Sequence, residues 1–348
     1  MSPADRKTDM AQGLDLDGLR GWLDSERPGF VAGGLSAELI TGGKSNLTYS
    51  VSDGVREFVV RRPPLGHVLA TAHDMGREHR IMTALAPTNV PVPATFAYCD
   101  DPKIIGATFY VMEKVSGTPY SRAKDLEALG ADRTRDISIR LVDTLVALHS
   151  VDYLTIGLSD FGKPDGYLSR QLSRWQKQLE ASHSRELPGM DELIARLEGS
   201  VPSESDATIV HGDYRLDNLL VDGSDQVAAV LDWEMSTLGD PLTDVAVMLA
   251  YQQLAESTRP DSTGAVVTDA ARAPGYLTRD EILERYASAT GRDVGHIGFH
   301  LGLAFFKLAV ILEGIHYRHV HGQTLGSGFD GIGDMIAPLI AAGHDATR

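Results

Sequence analysis

The chain has 348 residues, 43% of them hydrophobic, 7% aromatic and 23% charged, enough apolar material for one large domain or two smaller ones. Its 32 Lys and Arg against 48 Asp and Glu leave a formal charge of -16, which argues against nucleic acid or an anionic membrane as the main partner. Cys99 is the single cysteine, so no intrachain disulfide can form and a reducing, cytoplasmic setting is expected.

Residues 1–12 are polar and lack an apolar core, so 1–13 read as a disordered tail and not as a signal peptide. No apolar run reaches the length of about 20 residues that spans a bilayer. Over residues 14–23, Leu16, Leu19, Trp22 and Leu23 recur at helical spacing, with Asp15 as a possible cap. A strand is expected at 37–41 and another at 47–52, joined by Gly42, Gly43, Lys44, Ser45 and Asn46. Glycine there lets backbone N–H groups approach an anion closely, although taken alone the stretch fits an ordinary turn equally well. Asp53-Gly54 signals a two-residue hairpin, which makes 55–62 the third strand. Residues 71–85 carry Met75, His79, Met82 and Leu85 on one helical face with Glu78 beside it, and strands are expected at 94–98 and 107–113.

Beyond residue 113 the periodicity turns helical. Helices are predicted at 137–149, ending in His149, which reads as a buried structural histidine, around Trp175 and Leu179, and around Leu193 and Leu197. Further helices follow from 242 to 249, 279 to 289 and 296 to 320, while 257–274 is polar, alanine-rich and read as a mobile loop. On the last helix Lys307 and Arg318 are eleven residues apart, close to three turns, so both fall on one stripe. They are candidates for holding an anionic part of a substrate; the alternative is that they snorkel or pair locally.

The chemistry concentrates in the run from 209 to 244, IVHGDYRLDNLLVDGSDQVAAVLDWEMSTLGDPLTD. An apolar strand leads into a polar loop holding His211, Asp213 and Asn218, and a second strand delivers Asp232 at its end. Phosphoryl transfer needs such a set: one acid to accept the hydroxyl proton, and oxygen ligands for magnesium, since the protein's contribution is positioning and charge neutralisation. Asp213 suits the first role, Asn218 and Asp232 the second. Binuclear hydrolysis would need further histidines after strand ends, which this run lacks.

Written HGDYRLDN and LDWE, these motifs resemble the aminoglycoside phosphotransferase (choline kinase-like) family, and within it the kinase domains fused to some acyl-CoA dehydrogenases, where LDWEMSTLGDPLTDVA is a familiar ending. The resemblance extends over roughly residues 35–322. It implies an α+β, two-lobed protein-kinase-like fold, with a small N-terminal antiparallel sheet lobe (14–113) and a larger, mainly helical C-terminal lobe (114–348). It also implies ATP or GTP with Mg²⁺ as cofactors, and phosphorylation of a hydroxyl on a small molecule.

Carried over residue by residue, the resemblance makes Asp213 the base and lets Arg215 steady the transferring group. Asn218 and Asp232 become the magnesium ligands, while Gly43, Ser45 and Asn46 lie over the phosphates. Backbone groups of Glu113 and Val115 in FYVMEKVSG would meet the adenine edge. His211, Asp240 and Asp244 brace the loop, and Glu234, Lys307 and Arg318 are the substrate candidates. The stretch FVVR departs from the family's pattern, because Arg61 stands where a phosphate-gripping lysine is usual, with Glu78 as its partner. Arginine keeps the charge but forks onto two oxygens, which bears on phosphate geometry; a solvated strand-end arginine is the alternative. The phosphate acceptor stays open between an aminoglycoside and a hydroxy acid or hydroxyacyl thioester. A nucleotide-binding pseudokinase is the rival from another class, favoured by Arg61 and opposed by an intact Asp213, Asn218 and Asp232. The sequence carries no signal for an oligomeric state.

Overall fold

The computed structural model describes residues 13–40, 46–65, 74–182, 185–203, 206–257, 268–324, 329 and 331–348. Outside these lie the expected tail apart from Gly13, the loop residues Gly43 and Ser45, the first three residues of the helix expected at 71–85, and 258–267 of the loop expected at 257–274. The chain forms two compact units, Met1–Ser116 with Ala229–Glu234, and Gly117–Ala228 with Met235–Arg348. The first unit thus runs past the expected boundary at Glu113 and takes in a segment expected in the second. The reason is backbone pairing: the Val230 N–H donates to the Pro91 carbonyl at 2.8 Å.

The first unit is built on five antiparallel strands in the order β1-β2-β3-β5-β4, with β1 Ser36–Leu39, β2 Leu47–Ser52, β3 Glu57–Arg62, β4 Thr95–Cys99 and β5 Phe109–Glu113. Side chains alternate between faces along a strand. Tyr49, Val51, Phe58, Val60, Ala97, Cys99, Phe109 and Val111 therefore share one face, where they pack with Leu19 and Leu23 of α1 (Leu16–Glu26). Asp15 caps that helix, accepting from the Gly18 N–H at 2.9 Å. The opposite face carries Val59, Arg61, Tyr110 and Met112 and meets α2 (Met75–Leu85), capped by Asp74. β3 starts two residues later than the Asp-Gly hairpin predicts. Asp53 Oδ1 takes the N–H groups of Val55 and Arg56 (2.8 and 2.6 Å), and Oδ2 takes that of Ala32, so both N–H groups are lost to the ladder while the Arg56 carbonyl still accepts the Asp53 N–H at 3.1 Å.

The second unit is helical: α3 Ala123–Glu127, α4 Ala131–His149, α5 Tyr167–Ser182, α6 Met190–Gly199, α7 Leu242–Ser257, α8 Arg279–Thr290, α9 Gly298–Val320 and α10 Ile336–Ala346. It also holds the antiparallel pair β6 (Thr208–Val210) and β9 (Thr237–Gly239), and the ribbon of β7 (Leu219–Val221) and β8 (Val227–Val230). The last two residues of β8 carry the chain into the first unit. Contrary to the expectation that no run is long enough to span a bilayer, α9 is long and apolar enough to cross one, and 83% of its most apolar window is buried in the protein. It is packed by α5, α7 and α10, which makes it the central helix of this unit.

Candidate active site

In the first unit, strand alternation puts Arg61 opposite Tyr110 on the face that α2 covers. Arg61 Nε lies 2.9 Å from Glu78 Oε2, and Nη2 donates to Asp232 Oδ1 at 2.5 Å. Glu78 also accepts from the Tyr110 hydroxyl (2.9 Å) and from Asn46 Nδ2 (3.0 Å), whose second bond goes to Glu234 Oε2 at 3.2 Å. Burial raises the Glu78 carboxyl, an effect that the Arg61 charge opposes. Burial also disfavours the charged guanidinium, but Tyr110, Glu78, Asp232 and Glu234 outweigh it and raise Arg61 above its ordinary value. Burying an unpaired charge costs several kcal/mol or so, and this cluster avoids that by sharing one cation among the acids. Asp232 has φ +66, an uncommon backbone conformation for a residue with a side chain.

In the second unit, the loop after β6 is fixed by Asp244 at the start of α7. Its carboxylate is fully buried and accepts the N–H groups of His211 (2.7 Å) and Gly212 (2.8 Å), with His149 Nε2 at 3.2 Å. Burial would raise Asp244, but His149, His211 and the Gly212 N–H together hold its carboxyl below the ordinary value. Gly212, at φ +87, has no room for a Cβ: Met235 atoms would lie 2.8 Å away. Lys307 Nζ donates to the Gly212 carbonyl at 2.5 Å and lies over the Trp175 ring. Both polar groups of that glycine are therefore tied to side chains.

Asp213 follows, with a side chain one-fifth exposed. Its N–H donates to His211 Nδ1 at 3.2 Å, and Arg215 Nε lies 3.3 Å from its Oδ2. Burial raises this carboxyl, but Arg215, Lys307, His211 and the Asn218 amide together hold it below the ordinary carboxylate range. Asp213 is thus an ionised acceptor at neutral pH and a weak base. That suits a loose phosphoryl-transfer transition state, where orienting the hydroxyl outweighs removing its proton early. Asn218 Nδ2 donates to the Asp213 carbonyl (2.8 Å) and carboxylate (3.2 Å), so its remaining side-chain atom, Oδ1, is a hard oxygen of the kind magnesium takes. Asp232 offers carboxylate oxygen of the same character. Donor chemistry at both residues therefore fits Mg²⁺. Among the described residues no group of three or more His, Cys, Asp or Glu side chains could hold a metal by itself.

Each unit gathers its own share of the sequence candidates: Asn46, Arg61, Glu78, Asp232 and Glu234 in the first, and His211, Asp213, Arg215, Asn218, Asp244 and Lys307 in the second. The other candidates are held by contacts of their own. Glu113 ends β5 with its N–H donating to the Ala94 carbonyl at 2.8 Å, so that N–H belongs to the sheet and not to an adenine edge. Val115 is half-buried in the connecting stretch. Asp240 lies 3.1 Å from His300 Nε2 and accepts the Leu242 N–H at 2.9 Å, so it braces the start of α7. Lys307 and Arg318 do not act as one cationic face, because Lys307 is buried and committed to Gly212 while Arg318 is exposed in the last turn of α9. Arg215 pairs with Asp217 (3.2 Å) as well as Asp213, and its guanidinium lies over the Tyr251 ring at 4.7 Å.

Sequence reasoning missed Tyr110 and Tyr251. The Tyr251 hydroxyl bonds to Asp213, and burial with the Asp213 charge raises it. A signal existed: Tyr251 is seven residues after Asp244, two turns along the same helix face.

A model of the phosphotransferase enzyme family matches residues 36–284. The chain is 32% identical over 344 residues to acyl-CoA dehydrogenase family member 11 of Gallus gallus, covering 96% of this chain and 44% of that protein. It is 39% identical over 285 residues to acyl-CoA dehydrogenase family member 10 of Mus musculus, covering 81% of this chain and 26% of that one. The chain thus spans less than half the length of these relatives. Among solved structures, a candidate aminoglycoside phosphotransferase from Ralstonia eutropha JMP134 superposes with a TM-score of 0.81 at 34% identity, over 96% of this chain and 98% of that one. Aminoglycoside phosphotransferase APH(4)-Ia, in ternary complex with AMP-PNP and hygromycin B, shares the fold at a TM-score of 0.61 and 15% identity, over 95% and 98%.

Proposed function

The chain belongs to the phosphotransferase enzyme family, and on that premise we propose that it transfers the γ-phosphoryl group of ATP to a hydroxyl of a small molecule, with Mg²⁺. The observation that carries the reading is the Asp213 loop: an ionised carboxylate, partly exposed, held by a buried Asp244 that fixes the backbone ahead of it. In this proposal Asp213 accepts the hydrogen bond of the acceptor hydroxyl and takes its proton as the new O–P bond forms and the bond to the ADP oxygen breaks. Positioned acid–base groups of this kind contribute about 10²–10⁴ in rate. Asn218 and Asp232 would supply oxygen ligands for Mg²⁺, whose charge offsets that of the phosphates. Arg61 would bind phosphate oxygens, and Glu78 would hold Arg61 in place. Arg215, already shared between Asp213 and Asp217, serves on this reading to orient the base.

For the acceptor, the APH(4)-Ia complex holds hygromycin B, and the Ralstonia eutropha protein is a candidate aminoglycoside phosphotransferase. A second acceptor reading, a hydroxy acid or hydroxyacyl thioester, rests on the 32–39% identity to acyl-CoA dehydrogenase family members. A panel assay with [γ-³²P]ATP and [γ-³²P]GTP tests the proposal, comparing aminoglycosides, amino alcohols, sugars, hydroxy acids and hydroxyacyl thioesters. Label in one acceptor class, dependent on Mg²⁺, supports it. AMP-PNP binding with no labelled product from any class would favour the pseudokinase alternative.

A further inference from the structure

Arg61 stands in a lysine's place, and the structure shows what its longer, forked side chain reaches. Its short aligned hydrogen bond goes to Asp232, Nη2 to Oδ1 at 2.5 Å, with a longer one from Nη1 to Thr48 Oγ1 at 3.4 Å. Toward Glu78 the contact is an ion pair at 2.9 Å whose buried Nε–H is not aimed for a hydrogen bond. Glu78 is also the better satisfied of the two acids, because Tyr110 and Asn46 both donate to it. Asp232 is the accessible one: its side chain is 33% exposed, against 2% for Glu78. A lysine ammonium gathers its three N–H donors on one nitrogen, whereas the guanidinium carries Nε and Nη2 at separate points of a rigid plane and reaches two acids that lie apart.

We infer that Arg61 is a built-in counter-ion of Asp232, which a divalent cation has to displace, so that this protein takes metal together with nucleotide and not ahead of it. The inference rests on the proposal that Asp232 holds Mg²⁺. A cation approaching Oδ1 meets a fixed positive charge within contact distance, and like charges that close repel, the more so for a divalent ion. Phosphate oxygens offer the guanidinium a bidentate alternative, so a nucleotide can draw Arg61 off Asp232 and free the carboxylate for metal. A lysine confined to Glu78 would leave Asp232 open throughout.

The test is Mn²⁺ binding to the nucleotide-free protein, read from the loss of free-Mn²⁺ paramagnetic signal, for the parent, Arg61→Met and Arg61→Lys. The expected result is a gain in Mn²⁺ affinity of at least about tenfold in Arg61→Met, a smaller gain in Arg61→Lys, and loss of both gains when Asp232→Asn is added. Arg61→Lys retains a positive charge beside Glu78 and keeps the test usable if Arg61→Met fails to fold. Affinities within twofold of the parent in whichever variants fold would overturn the inference, as would a gain that survives Asp232→Asn. Parallel AMP-PNP titrations separate the two claims: a parent that binds AMP-PNP with Mn²⁺ but shows no Arg61 effect defeats only this inference. A parent that binds no AMP-PNP while the Arg61 variants gain Mn²⁺ defeats the phosphotransferase reading and leaves the counter-ion in place.

Discussion

The two units each bury a carboxylate network, and they do it in opposite ways. Around Asp244 the partners are mostly backbone: two N–H groups and one imidazole saturate a carboxylate with no exposed surface, and Lys307 closes the same glycine from the other side. Around Arg61 the partners are side chains, one cation is divided between two acids, and one of those acids is a third exposed with φ +66. Backbone contacts to a buried group leave the loop a single arrangement. A shared cation leaves a second one within reach, because each acid has other partners or solvent to turn to. The difference matches what the proposed chemistry asks of each unit: a fixed base in one, exchange among metal, phosphate and arginine in the other.

Breaking the fixed side gives the largest effect. Asp213→Asn removes the proton acceptor while keeping the shape, and turnover should fall by about 10²–10⁴ in the panel assay. Turnover equal to the parent's would remove Asp213 from the chemistry. Next, Asp244→Ala leaves two buried N–H groups and a buried histidine without their acceptor, which should cost roughly 3–5 kcal/mol in a urea titration. A loss below about 1 kcal/mol would mean that the loop is held by something else.

A smaller effect comes from pH. Burial lowers His149 below its ordinary value of 6.5, so the folded chain keeps it neutral at pH values where the unfolded chain protonates it. The unfolded state then binds more protons, and stability rises with pH in that window. The contribution is complete above about 6.5 and is lost as pH falls from there toward the lowered folded value. Thermal melts of the parent should show this slope, and His149→Gln should flatten it; equal slopes would detach His149 from the network.

Much of this was legible in the sequence. The strands at 47–52 and 208–210, the end of α4 at His149 and the contacts of Asp244 with the His211 loop and of Glu78 with Arg61 follow from periodicity, from a helix start and from the motif resemblance. What was not legible depends on contacts between residues distant in sequence. In the sequence Lys307 shares a stripe with Arg318 as a substrate candidate, and only the packing of α9 commits it to the Gly212 carbonyl. The bond from Arg61 to Asp232 spans 171 residues, and no spacing rule reaches that far. The delayed start of β3 reflects an Asp53 side chain that took two backbone donors the ladder would have used. α10 went unread, although Ile336, Leu339, Ile340 and Gly343 fall on one helical face.

On the proposed chemistry the Asp213 loop serves the chemical step while Asp232 serves metal and nucleotide. The most direct measurement is calorimetry of AMP-PNP binding, with and without Mg²⁺, on Asp213→Asn and Asp232→Ala beside the parent. Asp213→Asn should bind within about threefold of the parent in Mg²⁺, while Asp232→Ala should lose at least about tenfold in Mg²⁺ and little without it, a loss of roughly 1.4 kcal/mol or more. Equal losses for Asp232→Ala in both conditions, or a Mg²⁺-dependent loss in Asp213→Asn as large as that in Asp232→Ala, would contradict that division.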